Sequence, residues 1–183
     1  VAEEMQYIYE HAETRFSIVE NQEQVDKILE IKEQVPALEH IIYNDPRGLR
    51  NYTQEFLHSY AAIQERGRTY DQANPNFYSS NITAKSGDDT SIMLYTSGTT
   101  GRPKGVMLSY SNMIATGRNC SELEGLNETD SLLAYLPMAW IGDNLFSHAQ
   151  SYVTGYCVNC PESSETVLDD LREIGPTYFF APP

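Results

Sequence analysis

YTSGTTGRPKG, residues 95–105, decides how this chain is read. Within nine residues it sets two glycines, four hydroxyl side chains (Thr96, Ser97, Thr99 and Thr100) and one lysine. Gly98 and Gly101 can adopt positive φ and leave backbone N–H groups unobstructed. Successive exposed N–H groups form a concave nest suited to phosphate oxygens. The hydroxyls add donors, and Lys104 adds a point charge that demands no single orientation. Pro103 stiffens the chain just before that lysine. Upstream, SIMLYT is a short apolar run of strand type; downstream, VMLSYSNMIATG passes from apolar to helical character. Those flanks do not suit a flexible Ser/Thr/Gly linker. A glycine-rich turn after a strand is where phosphate sites are built.

Two common phosphate motifs are excluded. The Walker loop needs G-x-x-x-x-G-K-(S/T), with a hydroxyl after the lysine for magnesium. Here Pro103 precedes Lys104 and Gly105 follows it. The Rossmann fingerprint G-x-G-x-x-G is absent as well.

The stretch YTSGTTGRPKGVMLSYSNM resembles the phosphate-loop signature of the adenylate-forming enzymes: acyl-CoA synthetases, luciferases and peptide-synthetase adenylation domains. YLPMAWIGDNLFSHAQ, residues 135–150, resembles the family's next signature, which lines the acid pocket. EHIIYNDPRGLRNY, residues 39–52, and the closing TYFFAPP resemble the bacterial long-chain acyl-CoA synthetase branch. The loop is diagnostic; the other stretches refine the branch. The resemblance implies an α/β fold, a mostly parallel sheet flanked by helices, as part of a two-sheet large domain. It places a lobe boundary near residue 126, with one lobe over 1–126 and an incomplete second over 127–183.

The implied chemistry is attack of a carboxylate on the α-phosphorus of ATP, giving acyl-adenylate and pyrophosphate. A thiol, usually coenzyme A, then displaces AMP. By matching positions, Thr96, Ser97, Gly98, Thr99, Thr100, Gly101 and Lys104 touch phosphate, with Lys104 and Thr96 as the catalytic pair. Thr96 also helps ligate Mg²⁺, or serves phosphate alone. The loop's task is to hold the leaving phosphates as they gain charge. Trp140 stands where the wider family often has histidine. Its indole either lines the acid pocket or is a core tryptophan with a satisfied N–H. His148 reads as a helix-face or core residue rather than a base, and Asp143 as a charge at a helix N-terminus. No Y-G-x-T-E or T-G-D stretch follows. The chain therefore reads as an internal fragment of a longer synthetase, inactive alone and inclined to self-associate. Aryl-CoA ligases, peptide-synthetase adenylation domains and a non-catalytic phosphate-binding module are the competing readings.

Composition bounds the rest. The chain has 183 residues, 40% hydrophobic and 21% charged, as in a globular protein. Its net charge of −14 argues against nucleic acid, which needs a basic face. It also repels anionic lipid, although peripheral membrane contact stays compatible with the sequence. No apolar run is long enough to span a bilayer, and the start, VAEEM, lacks the form of a signal peptide. Three cysteines fit a reducing cytoplasm better than a disulfide framework. Cys157-Val-Asn-Cys160 has the spacing of a redox or metal pair, but no second pair accompanies it.

The pattern along the chain alternates. Helices are expected at AEEMQYIYEHA and at NQEQVDKILEIKEQV, with Asn21 as cap, and strands at RFSIVE and EHIIYN. YTQEFLHSYAAIQERG reads as one amphipathic helix ended by Gly67, and DQANPNFYSSNITAKSGDD as a polar loop with one helical turn at most. After SIMLYT and VMLSY comes a helix capped near Ser109 or Ser111. SLLAYLP, GYCVNC and TYFFAPP read as strands, GDNLFSHAQSYVTG and SSETVLDDLREIG as helices.

Overall fold

The α-β alternation of the first third folds as the sequence pattern predicts. In the computed structural model, which describes residues 2–96 and 101–181, the chain forms two compact units, 1–85 and 86–183. The expected boundary near residue 126 therefore falls inside the second unit. The reason is packing: helix 110–124 lies against the helical segment that follows residue 140.

In the first unit, α1 (Ala2–His11) precedes β1 (Phe16–Val19), α2 (Gln22–Ile31) and β2 (His40–Tyr43). Asn21 caps α2, its side chain accepting from the Gln24 N–H at 3.3 Å. Val25, Ile28 and Ile31 recur at helical spacing and are buried. With Val35, Leu38 and Ile41 they make the core of this unit. β1 and β2 pair in parallel, as a strand–helix–strand crossover requires, with Phe16 opposite His40.

The next segment departs from expectation. YTQEFLHSYAAIQERG is not one helix: Leu57–Ser59 is a strand, β3, parallel to β2, with Ile42 opposite His58. The ladder available on the open edge of β2 outweighs the helical pattern over these three residues. Ser59 then caps α3 (Tyr60–Ala73), accepting from the Ala62 N–H. Gly67 does not end that helix. A glycine in a helix interior costs only about 1 kcal/mol, and the stop comes at Asn74, where the following Pro75 disfavours helix. The polar stretch beyond also holds more structure than expected, since Phe77–Thr83 is a helix, α4. Tyr70 and Phe77 meet edge to face at 5.1 Å.

The second unit opens on a hairpin. β4 (Thr90–Thr96) and β5 (Lys104–Ser109) are antiparallel, unlike the parallel pairs elsewhere. Ser109 caps α5 (Tyr110–Glu124) in a reciprocal box with Asn112, and Gly125 ends it at φ 66°. β6 (Ser131–Leu133) and β7 (Cys157–Asn159) form a short parallel pair. Between them a π-helical segment, Asp143–Gln150, runs into α6 (Ser151–Thr154). α7 (Val167–Ile174) begins after Thr166, four residues later than the SSETVLDDLREIG pattern suggests. Ser163 instead caps the preceding turn, accepting from the N–H groups of Glu165 and Thr166. TYFFAPP adds one bridge, Tyr178 beside Leu132, rather than a full strand. Layers of helix on mostly parallel strands make the chain α/β, as expected.

Candidate functional site

The hairpin sets the phosphate-loop residues. Tyr95 pairs with Gly105 and Thr96 with Lys104, so Thr96 and Lys104 face each other at the end of the ladder. Both are exposed. Ser97, Gly98, Thr99 and Thr100 lie outside the described residues. Gly101, on the return, has φ +103°, in the region where glycine is favoured, with open space where a Cβ would stand. Arg102, also exposed, is a second cation of this loop that the sequence reading passed over. Gly105 is needed for a different reason. A Cβ there would come within 2.9 Å of Met93 Sδ and 3.3 Å of Tyr95 Cζ on the facing strand.

Against this hairpin lies a cavity of about 840 Å³. Leu94, Tyr95, Thr96, Val106 and Leu108 form one wall; Leu136, Ala139, Trp140, Ile141, Leu145, Phe146 and Phe180 form the rest. Thr96 thus belongs to both the loop's base and the cavity. Trp140 is 53% exposed on this wall, so it is not a core tryptophan. Its turn is held by Asn144, whose side-chain amide donates to the carbonyls of Met138 and Trp140 at 2.9 Å each. The wall from TYFF is fixed by Phe146 packing on Phe180 at 4.2 Å and Tyr135 on Phe179 at 5.5 Å. Tyr135 also donates its hydroxyl to the Phe180 carbonyl at 2.6 Å. Burial pushes the Tyr135 phenol pKa up, so it stays a donor.

The helix behind the cavity is built on close approach. Gly117 of α5 has no room for a side chain: a Cβ would stand 3.1 Å from the Ala149 carbonyl carbon and oxygen. Asp143 is more than a helix-end charge. It is buried and accepts from Ser147 Oγ at 2.8 Å, with His148 Nε2 3.7 Å from its other oxygen. His148 itself is half-exposed and lines a separate groove with Tyr110 and Tyr152, away from the cavity. That matches its reading as a helix-face residue.

Thr96 offers a hydroxyl oxygen to a hard cation such as Mg²⁺, which prefers oxygen ligands. Among the described residues no group of three His, Cys, Asp or Glu side chains could hold a metal ion. Cys120, Cys157 and Cys160 are all free. An extended chain of three residues spans about 10 Å, beyond the roughly 7 Å reach of a disulfide, and Cys157 begins such a strand. No described helix is long and apolar enough to cross a membrane.

The signals for the cavity are mostly nonlocal. YLPMAWIGD was legible as pocket-lining sequence, but Leu94, Val106, Phe146 and Phe180 carry no mark of sharing one wall. An α/β fold whose hairpin ends on Thr96 and Lys104 beside an apolar cavity is the setting in which the chain's relatives are informative. The profile of the AMP-binding enzyme family matches residues 1–183, and the chain belongs to that family.

Its relatives agree. It is 31% identical over 191 residues to the long-chain-fatty-acid–CoA ligase ACSBG2 of Rattus norvegicus, covering 100% of this chain and 28% of that protein. It is 29% identical over 192 residues to the chloroplastic long-chain-fatty-acid–(acyl-carrier-protein) ligase AEE15 of Arabidopsis thaliana, covering 99% of this chain and 25% of that one. The chain thus spans about a quarter of the length of the curated relatives it matches. Among solved structures, a putative long-chain-fatty-acid CoA ligase from Rhodopseudomonas palustris superposes with a TM-score of 0.70 at 13% identity, over 100% of this chain and 42% of that one. The anthranilate CoA ligase AuaEII, solved with anthranoyl-AMP, gives 0.68 at 25% identity, over 98% and 33%.

Proposed function

We propose that the protein containing this chain activates a long-chain fatty acid with ATP and passes the acyl group from the adenylate to coenzyme A. The observation that carries this reading is Thr96, which stands at the base of the phosphate loop and in the wall of the apolar cavity. An acid with its chain in that cavity has its carboxylate end beside the residues that would hold the triphosphate. The lining is aliphatic and aromatic, as a hydrocarbon chain requires. Family membership and the long-chain ligases among the relatives support the same substrate class.

The roles follow from the chemistry. Lys104 and the N–H groups and hydroxyls of residues 97–101 neutralise charge that develops on the departing pyrophosphate. Arg102 adds to the same field. Thr96 donates or accepts at the phosphate and gives one oxygen to Mg²⁺, whose contribution when bound is to offset phosphate charge. Trp140 forms the wall that the acid's chain meets. A cytoplasmic location fits the free cysteines.

The thiol acceptor admits a second reading, because one relative is named for acyl-carrier protein rather than coenzyme A. The test is acid-dependent ATP–pyrophosphate exchange by the full-length protein across fatty, aryl and amino acids, followed by acyl transfer to each thiol. Exchange driven by long-chain fatty acids is the expected result. Exchange with aryl or amino acids alone would overturn the substrate class, and no exchange with any acid would favour a binding module.

A further inference from the structure

The first unit carries an arrangement outside the candidate site described above. On the sheet face opposite the α2 core, Phe16, His40 and His58 meet Ile63, Arg66 and Tyr70 of α3 around a groove of about 440 Å³. His40 Nδ1 and His58 Nε2 stand 3.0 Å apart, with the ring planes at 52°. Both histidines are partly exposed to the groove. They come from neighbouring strands whose register is fixed by the pairing of Ile42 with His58 and of Phe16 with His40.

Two imidazole nitrogens bound cis to one metal ion at about 2.0–2.1 Å each lie roughly 2.9–3.4 Å apart. The observed separation lies within that bite. We propose that His40 and His58 form a bidentate site for a divalent transition-metal ion of the nickel–copper–zinc group, with solvent ligands in the groove completing its shell. Neutral imidazole suits these ions, and Cu²⁺ binds most tightly of the three. A hydrogen bond at this separation takes one N–H between the facing nitrogens, from whichever ring carries it. On binding, that proton moves to the far nitrogen of the same ring, so both facing lone pairs enter coordinate bonds and no proton is lost. Arg66 on the same groove opposes positive charge at His58, which lowers affinity and favours an anion such as chloride among the solvent ligands. With two protein ligands the site is weaker than a three-histidine centre.

The test titrates the full 183-residue chain, untagged, with NiCl₂ and then CuCl₂ by calorimetry. One equivalent is expected to bind, Cu²⁺ more tightly than Ni²⁺. His40→Gln and His58→Gln are each expected to weaken Ni²⁺ binding at least tenfold, while His148→Gln leaves it unchanged. Should either variant fail to fold, NMR of the wild-type chain decides: substoichiometric Ni²⁺ should perturb the His40 and His58 imidazole signals first. Unchanged affinity in the folded variants would overturn the proposal. So would perturbation centred on His148 or on Cys157 and Cys160, and so would no binding at all, which would leave a hydrogen-bonded pair only.

Discussion

The two units bury different things. In residues 1–85 the interior is aliphatic: Val25, Ile28, Leu38 and Ile41 are each at most 2% exposed, and they pack as one cluster. In residues 86–183 Ser121, Asp143, Ser147, Gln150 and Ser151 are buried alongside Leu132 and Leu133. That unit leaves Met138, Trp140 and Ile141 half-exposed or more. Polar interiors are hydrogen-bonded at a cost, and exposed apolar walls gain nothing until something covers them. The first unit closes around one aliphatic cluster, although Ile18, Phe77 and Tyr78 stay exposed on it. The second mixes polar and apolar groups inside and carries the cavity of about 840 Å³. The same division is visible in helix geometry, since α2 is a capped amphipathic helix whereas the cavity's helix is wound as a π-helix over Asp143–Gln150.

Four substitutions would break or sharpen that contrast. Ile28→Ala is expected to cost the chain about 2–5 kcal/mol, the range for emptying a packed aliphatic site, as measured by denaturant unfolding. A cost under about 1 kcal/mol would mean that the first unit lacks the tight core assigned to it. Lys104→Ala in the full-length protein should slow pyrophosphate exchange by roughly ten- to a thousandfold, equivalent to about 1.4–4 kcal/mol in the transition state. Because Lys104 is exposed, its removal should change stability by no more than about 0.5 kcal/mol. Equal exchange rates would remove it from the mechanism.

Gly117→Ala tests the close contact in the second unit. A methyl group pressed against the Ala149 backbone should destabilise by about 1–3 kcal/mol. A neutral result would show that α5 and the π-helix can separate. Trp140→Ala should give the smallest change in free energy, about 1 kcal/mol in the relative kcat/KM of short and long acids, the scale for altering an apolar pocket by a methylene or so. The KM for ATP should stay as it was. An unchanged chain-length profile with lost stability would move Trp140 from the cavity wall to a packing role.

Several features were legible without coordinates because their causes are local. Asn21 and Ser109 cap helices through N–H groups three residues away. Gly125 ends α5 because only a residue tolerant of positive φ fits there. The loop composition announced phosphate chemistry, and family membership agrees with it. Other features were misread for equally physical reasons. Leu57–Ser59 shows a helical pattern, and its conversion to strand depends on the open edge of β2, fourteen or more residues earlier in the chain. Gly67 looked like a stop, but a single glycine does not end a helix whose neighbours continue it. The contacts divide the chain after residue 85, and α5 packs onto the segment beyond 126, where Gly117 allows close approach to Ala149.

The sequence by itself determined the α/β alternation of the first unit and the caps at Asn21 and Ser109, since each rests on residues within one turn or strand of one another. The tertiary structure decided that Thr96 faces Lys104, that residues from Leu94 to Phe180 enclose one cavity, and that His40 and His58 stand side by side. Those outcomes depend on strand register and helix approach, whose energies come from groups far apart in the chain, so no local pattern records them.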